Sequence, residues 1–94
     1  MINYDGPVSP LLKAYPNPNN GNQITVEIKG LKDIHSVPVQ IYNQQGQKVM
    51  DIILNESEPG IMKEDISFPV SLPAGLYIIK AGKTKQLTQK LVVY

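Results

Sequence analysis

The chain has 94 residues, 41% of them apolar, with nine Lys, no Arg, eight acids and a formal net charge of +1. That length supports one domain with a modest core, and near-neutral charge without clustered Arg gives no electrostatic footprint for nucleic acid. Cys is absent, so no disulfide can help the core, and no apolar run is long enough to cross a bilayer as a helix.

Met1–Pro10 lacks the basic and apolar regions of a signal peptide, and Pro7, Ser9 and Pro10 suit a spacer. Residues 1–10 therefore read as a linker or expression remnant, and residues 11–94 as the domain. Leu11–Tyr15 is a short strand candidate. Pro16-Asn-Pro-Asn-Asn-Gly21 stops it, because the two prolines lack amide donors and Asn20-Gly21 is a turn signal. Gln23–Lys29 is the cleanest strand: Ile24, Val26 and Ile28 share one face, and Thr25, Glu27 and Lys29 the other. Gly30–Ser36 is a polar connection with room for one helical turn. Val37, Val39 and Ile41 alternate with Pro38, Gln40 and Tyr42 in the next strand, with Pro38 near its start or at an edge.

Asn43-Gln-Gln-Gly46 is a hairpin turn that needs a positive φ at Gly46. Gln47–Leu54 returns with blurred alternation, which implies a bulge or burial on both faces. Asn55–Gly60 reads as a loop with a Pro-Gly turn. Ile61–Val70 carries Ile66, Phe68 and Val70 on one face. Leu72-Pro-Ala-Gly-Leu-Tyr77 leads into a last hairpin of Leu76–Ala81 and Leu87–Tyr94, joined by a turn at Gly82–Lys85.

About seven short strands separated by turn signals, with no helical period, predict an all-β, immunoglobulin-like antiparallel sandwich. Its expected core is Ile24, Val26, Ile28, Val39, Ile41, Ile66, Phe68, Tyr77 and Ile79. Tyr77 is placed in a tyrosine corner, bonding its hydroxyl back to upstream backbone, and Gly75 before it in a geometry hostile to a Cβ.

The residues point away from an enzyme. His35 is the one histidine, and without Cys the chain cannot assemble an ordinary zinc site. Asp33, His35 and Ser36 are too close along an extended loop to form a relay, and His35 reads as solvated. The acids show no calcium-loop spacing. No cofactor is expected. Glu56 and Glu58 read as solubilising a loop, in which Asn55-Glu-Ser57 also fits a glycosylation acceptor. Without Trp, Tyr42 is a thin platform for a sugar. Lys83, Lys85 and Lys90 either protect a sheet edge or meet a partner.

Three stretches together resemble the type IX (Por) secretion system C-terminal sorting domain, type A. They are Tyr15-Pro-Asn-Pro18 with Asn20-Gly21, then Val39–Val49 around Gly46, and Leu72-Pro-Ala-Gly-Leu-Tyr77 with Lys90-Leu-Val-Val93. The resemblance covers roughly residues 14–94. It implies a secretion and sorting signal that directs cargo through the outer membrane of a Gram-negative bacterium. The cargo would fold in the periplasm in transit and finish secreted or on the outer surface. Its implied partners are the outer-membrane machinery and a sortase-like peptidase that removes the domain and attaches the cargo. The implied signal residues are Pro16, Asn17 and Pro18, the turn residue Gly46, and Gly75, Tyr77, Lys90, Leu91, Val92 and Val93, with Lys85 as the alternative basic contact. Such a domain should stand last in its protein, with nothing after Tyr94. A C-terminal edge strand would also offer unpaired backbone groups for strand addition, a weak dimer or a strand swap. The alternative readings are an immunoglobulin-like adhesion or carbohydrate-binding module, and a passive spacer.

Overall fold

A computed structural model of the protein describes residues 10–31, 34–82 and 86–94. Seven antiparallel strands follow one another: β1 (Leu11–Tyr15), β2 (Gln23–Lys29), β3 (Ser36–Tyr42), β4 (Lys48–Glu58), β5 (Ile61–Ser67), β6 (Gly75–Ala81) and β7 (Leu87–Val93). Their lateral order is β1-β2-β5-β4-β3-β6-β7. β4 belongs to both layers, because its first eight residues pair with β3 and its last turn to β5. β1 comes to lie against β7, so the two outer edges approach each other.

The alternation of β2 explains the layer. Ile24, Val26 and Ile28 are buried, and their β5 partners Ile66 and Met62 close the same side. Period-2 side-chain placement gives both sheets one inner face. All nine expected core residues are buried, joined by Leu12, Ala14, Val37, Leu54, Met62, Ala81, Leu91 and Val93. Burial of each large aliphatic side chain contributes about 1.5–3 kcal/mol, which lets so short a chain fold without disulfides.

Several expectations change. β4 does not stop at Leu54 but runs to Glu58, and the turn shrinks to Pro59 and Gly60. Its blurred pattern has a cause: Met50, Ile52 and Leu54 turn inward, while apolar Val49 and Ile53 are 38% and 60% exposed, so the second face is not buried. The register shifts opposite Ile41 and Tyr42 and again between Glu56 and Glu58, where the strand passes to the other sheet. Asn55 thereby lies opposite Ser36 within the ladder rather than in a loop. β5 ends at Ser67; Phe68 is buried beyond it, but Val70 is 78% exposed and does not share its face. Gly30, Leu31, Ile34 and His35 form no helical turn. Gly82 is described, whereas the rest of the turn expected at Gly82–Lys85 lies outside the described residues.

Candidate functional site

β7 pairs with β6 on one side only, from Ala81↔Leu87 to Gly75↔Val93. Its other side should expose a row of amides and carbonyls. The segment after β1 fills much of that row. Pro16 and Pro18 have no N–H to offer, so their backbone cannot continue a ladder. The side chain between them does so instead. Asn17 Nδ2 donates to Lys90 O at 2.8 Å, and Asn17 Oδ1 accepts from Val92 N–H at 2.9 Å. A primary amide carries the same donor and acceptor as a peptide unit, so Asn17 pairs with β7 as a strand residue would.

Asn19 continues the pairing with its backbone. Its N–H donates to Val92 O at 2.9 Å, its Nδ2 reaches the same oxygen at 3.2 Å, and its carbonyl accepts from Tyr94 N–H at 2.9 Å. Asn19 Oδ1 accepts from Gly21 N–H at 2.7 Å. Asn19 is the one buried polar residue among those described, and each of its groups is used. A bond lost there would leave a desolvated polar atom, which costs more than the bond itself contributes. Both prolyl bonds flanking Asn17, Tyr15–Pro16 and Asn17–Pro18, are cis.

Gly21 ties in the third stretch. Its carbonyl accepts from Leu72 N–H at 2.9 Å. A Cβ here would stand 2.5 Å from Leu72 O and 3.1 Å from Val93 Cγ1, and φ is +83°. Only glycine satisfies both the close approach and the left-handed backbone. Asn22 accepts from the Ser71 hydroxyl through Oδ1 and from Phe68 N–H through its carbonyl. Tyr77 is buried, and its hydroxyl donates to Pro73 O at 2.6 Å, as a tyrosine corner requires. Gly75 adopts a φ of +154°, with Gln44 Oε1 3.6 Å from where a Cβ would sit. The middle turn thus reaches the same end of the sandwich. Gly46 has φ +85°, and Asn43 Oδ1 holds the turn by accepting from Gln45 and Gln47 N–H.

The described signal residues expected from sequence therefore sort into four kinds. Leu91, Val93 and Tyr77 are core. Pro16, Asn17 and Pro18 are exposed along the β7 edge, and the positive-φ glycines are Gly46, in a turn, and Gly75, the first residue of β6. Lys90 and Val92 point outward from β7. Lys85 lies outside the described residues. The expected free edge is largely closed: Lys90 O, Val92 N–H, Val92 O and Tyr94 N–H all have partners in the opening segment. By the ladder's alternation, the outward groups left over are those of Thr88 and the Lys90 N–H. Asn19, Gly21 as a packing residue, and the bond from Leu72 N–H to Gly21 escaped the sequence reading. The signal available was the recurrence of Asn at positions 17, 19 and 20 between prolines and Gly21, since Asn side chains bond backbone groups in irregular segments.

Beside this end lies a shallow apolar groove of about 310 Å³, lined by Val49, Met50 and the segment from Phe68 to Pro73. Among the described residues, no group of His, Asp and Glu gathers as a metal site. Charge matters more at the opposite end. Glu56 accepts from Gly60 N–H at 2.9 Å and bonds His35 Nδ1 at 2.8 Å, so neither behaves as a free loop residue. The Gly60 amide first, and His35 second, hold the Glu56 carboxyl below the usual glutamate range.

No curated protein sequence matches the chain. A solved structure described as the crystal structure of CHIR-AB1 is similar at 17% identity and a TM-score of 0.50, covering 93% of this chain and 99% of that one. That likeness is one of fold, the immunoglobulin-like sandwich. The family model for the secretion system C-terminal sorting domain matches residues 13–94, which takes in the opening segment, the middle turn, the tyrosine corner and β7 together. The chain belongs to that family, the type IX sorting domains, and its function is that of a C-terminal sorting signal for secretion.

Proposed function

We propose that the export machinery reads this chain as a folded module, at the end of the sandwich where the opening segment clasps β7. The observation that carries this reading is Asn17, whose side chain bonds the backbone on both sides of Leu91. The beginning and the end of the domain form one surface, which an unfolded tail could not present. In this reading residues 1–10 are the spacer to the cargo and residues 11–94 the module. The module acts by binding, without chemistry of its own. The cargo passes through the periplasm and the outer membrane, a sortase-like peptidase cuts upstream of Tyr15, and the cargo stays on the surface or leaves the cell. Pro16, Asn17 and Pro18, with Gly46, Gly75 and Tyr77, hold the surface in shape; Lys90 and Val92 are its outward contacts, and Lys85, outside the described residues, is the alternative basic contact.

The experiment fuses residues 1–94 behind a fluorescent protein carrying a periplasmic signal, in a cell with the type IX system. Fluorescence should reach the cell surface or medium with the folded domain and remain periplasmic with Asn17→Ala. Surface delivery by a variant whose strands no longer form would show that a linear segment is read instead.

A further inference from the structure

The two outer faces of the sandwich carry different chemistry. On the β1-β2-β5 face, Lys13, Glu27 and Lys63 lie in one cross-strand row. Glu27 also meets Lys29 at 3.6 Å and the Tyr15 hydroxyl at 3.4 Å, and Asp65 accepts from the Thr25 hydroxyl at 2.6 Å. That face sets a carboxylate, Glu27, directly across the ladder from both Lys13 and Lys63, although only Lys29 comes within ion-pair distance of it.

The β4-β3-β6-β7 face does not. Tyr42, Ile78 and Lys90 form one row across β3, β6 and β7, and Leu76 opposite Val92 forms the next. Leu76 is 39% and Ile78 36% exposed, although both sit in the middle of a sheet. Lys80 extends over the Tyr42 ring, 5.1 Å from its centroid. Lys48 is occupied by Asp51 at 2.8 Å, but among the described residues no carboxylate lies within ion-pair distance of Lys80 or Lys90. The result is an apolar centre with two uncompensated cations at its margin. Asn17 fixes this surface as well, since it holds β7 at Lys90 and Val92, the two β7 residues that face outward there.

We infer that this face, Tyr42, Leu76, Ile78 and Val92 with Lys80 and Lys90, docks an acidic protein surface of the export machinery that carries an apolar patch inside its carboxylates. The inference rests on the sorting function and adds where the partner binds and with what chemistry. Charge selects the occupant. A membrane surface is held by clusters of roughly four to eight basic residues, more than the described residues of this face supply. A second copy meeting the same patch across a two-fold axis would bring lysines against lysines. Strand spacing and rise make the patch about 14 Å by 17 Å, about 240 Å², well under the roughly 800 Å² per partner of a stable interface. A contact of that size is transient, which suits a domain that must be passed on and released.

The test uses the 94-residue chain fused to the reporter, as Lys80→Gln/Lys90→Gln, as Ile78→Glu, and as Lys13→Gln/Lys63→Gln on the other face, with melting temperatures alongside. Surface delivery should fall about tenfold or more for the first two and stay at the wild-type level for the third, with the Lys80→Gln/Lys90→Gln variant melting as wild type does. Carbodiimide in intact cells should join the wild-type domain to a carboxylate-bearing envelope protein, and the adduct should weaken in Lys80→Gln/Lys90→Gln. Normal delivery by that folded double variant, with the wild type delivered, overturns this inference and leaves the sorting function standing. Failure of the wild type itself overturns both. An adduct between two copies, or flotation with phosphatidylcholine–phosphatidylglycerol vesicles that the double variant abolishes, also overturns it in favour of a dimer or a membrane.

Discussion

The two ends of the sandwich are fastened by different physics. At one end, Asn17, Asn19, Gly21 and Tyr77 join the opening segment, the Leu72–Pro73 stretch and β7 through neutral hydrogen bonds and close packing. At the other, Gly30 N–H donates to Gly60 O, and Glu56 holds Gly60 N–H and His35 through a carboxylate. Neutral amides keep their bonding across the pH scale, whereas a carboxylate that accepts bonds loses them on protonation. The end that carries the family's motifs is thus insensitive to pH, and the end without them is not.

The largest perturbation should erase the difference. Phe68→Ala empties a core position beside the motif end and should cost roughly 3–5 kcal/mol, so that, the core being one, both ends open in one cooperative transition in denaturant. A loss under about 1 kcal/mol would mean that Phe68 bears little of the packing. Gly21→Val should act at the motif end. The left-handed backbone alone costs about 1–3 kcal/mol with a side chain, and the new Cβ must also displace Leu72 O, 2.5 Å away. Hydrogen exchange should then rise first at Leu72 and Tyr94, while Gly60 stays protected. Equal loosening at both ends would contradict the division.

Asn17→Ala removes two exposed side-chain bonds to β7, each contributing about 0.5–1.5 kcal/mol. Its expected cost is about 1–2 kcal/mol, with the Val92 amide newly exchangeable and the Gly60 amide unchanged. It also uncovers the β7 edge, so concentration-dependent association by light scattering should appear in this variant and not in the parent. Acidification should do the smallest and opposite thing. The folded Glu56 carboxyl titrates below its unfolded value. Its stabilising contribution is therefore present above the ordinary glutamate range and fades as pH falls through the lowered folded value. Protection of the Gly60 amide, corrected for intrinsic exchange, should drop there before that of Tyr94. Loss at Tyr94 first would reverse the assignment of the two ends.

The sequence alone determined the strands with clean period-2 patterns, because burial on one face dictates alternate side chains. Gln23–Lys29 and Leu11–Tyr15 lie where their patterns end, and Tyr77 and Gly46 could be read because a corner and a tight turn are local geometries with local signatures. The family itself was legible in the order of the three motif stretches. β4 was not legible to its end, since a strand that leaves one sheet for another has no single inner face, so Asn55–Glu58 looks polar enough to be a loop. Only the tertiary structure could join Asn17 to Lys90 and Val92. Their 73- and 75-residue separations leave no periodic trace, and the contact depends on β1 folding back beside β7. The same holds for the exposed face, where Tyr42, Ile78 and Lys90 become neighbours through the lateral order β3-β6-β7, which cross-strand pairing sets and no single strand's pattern contains.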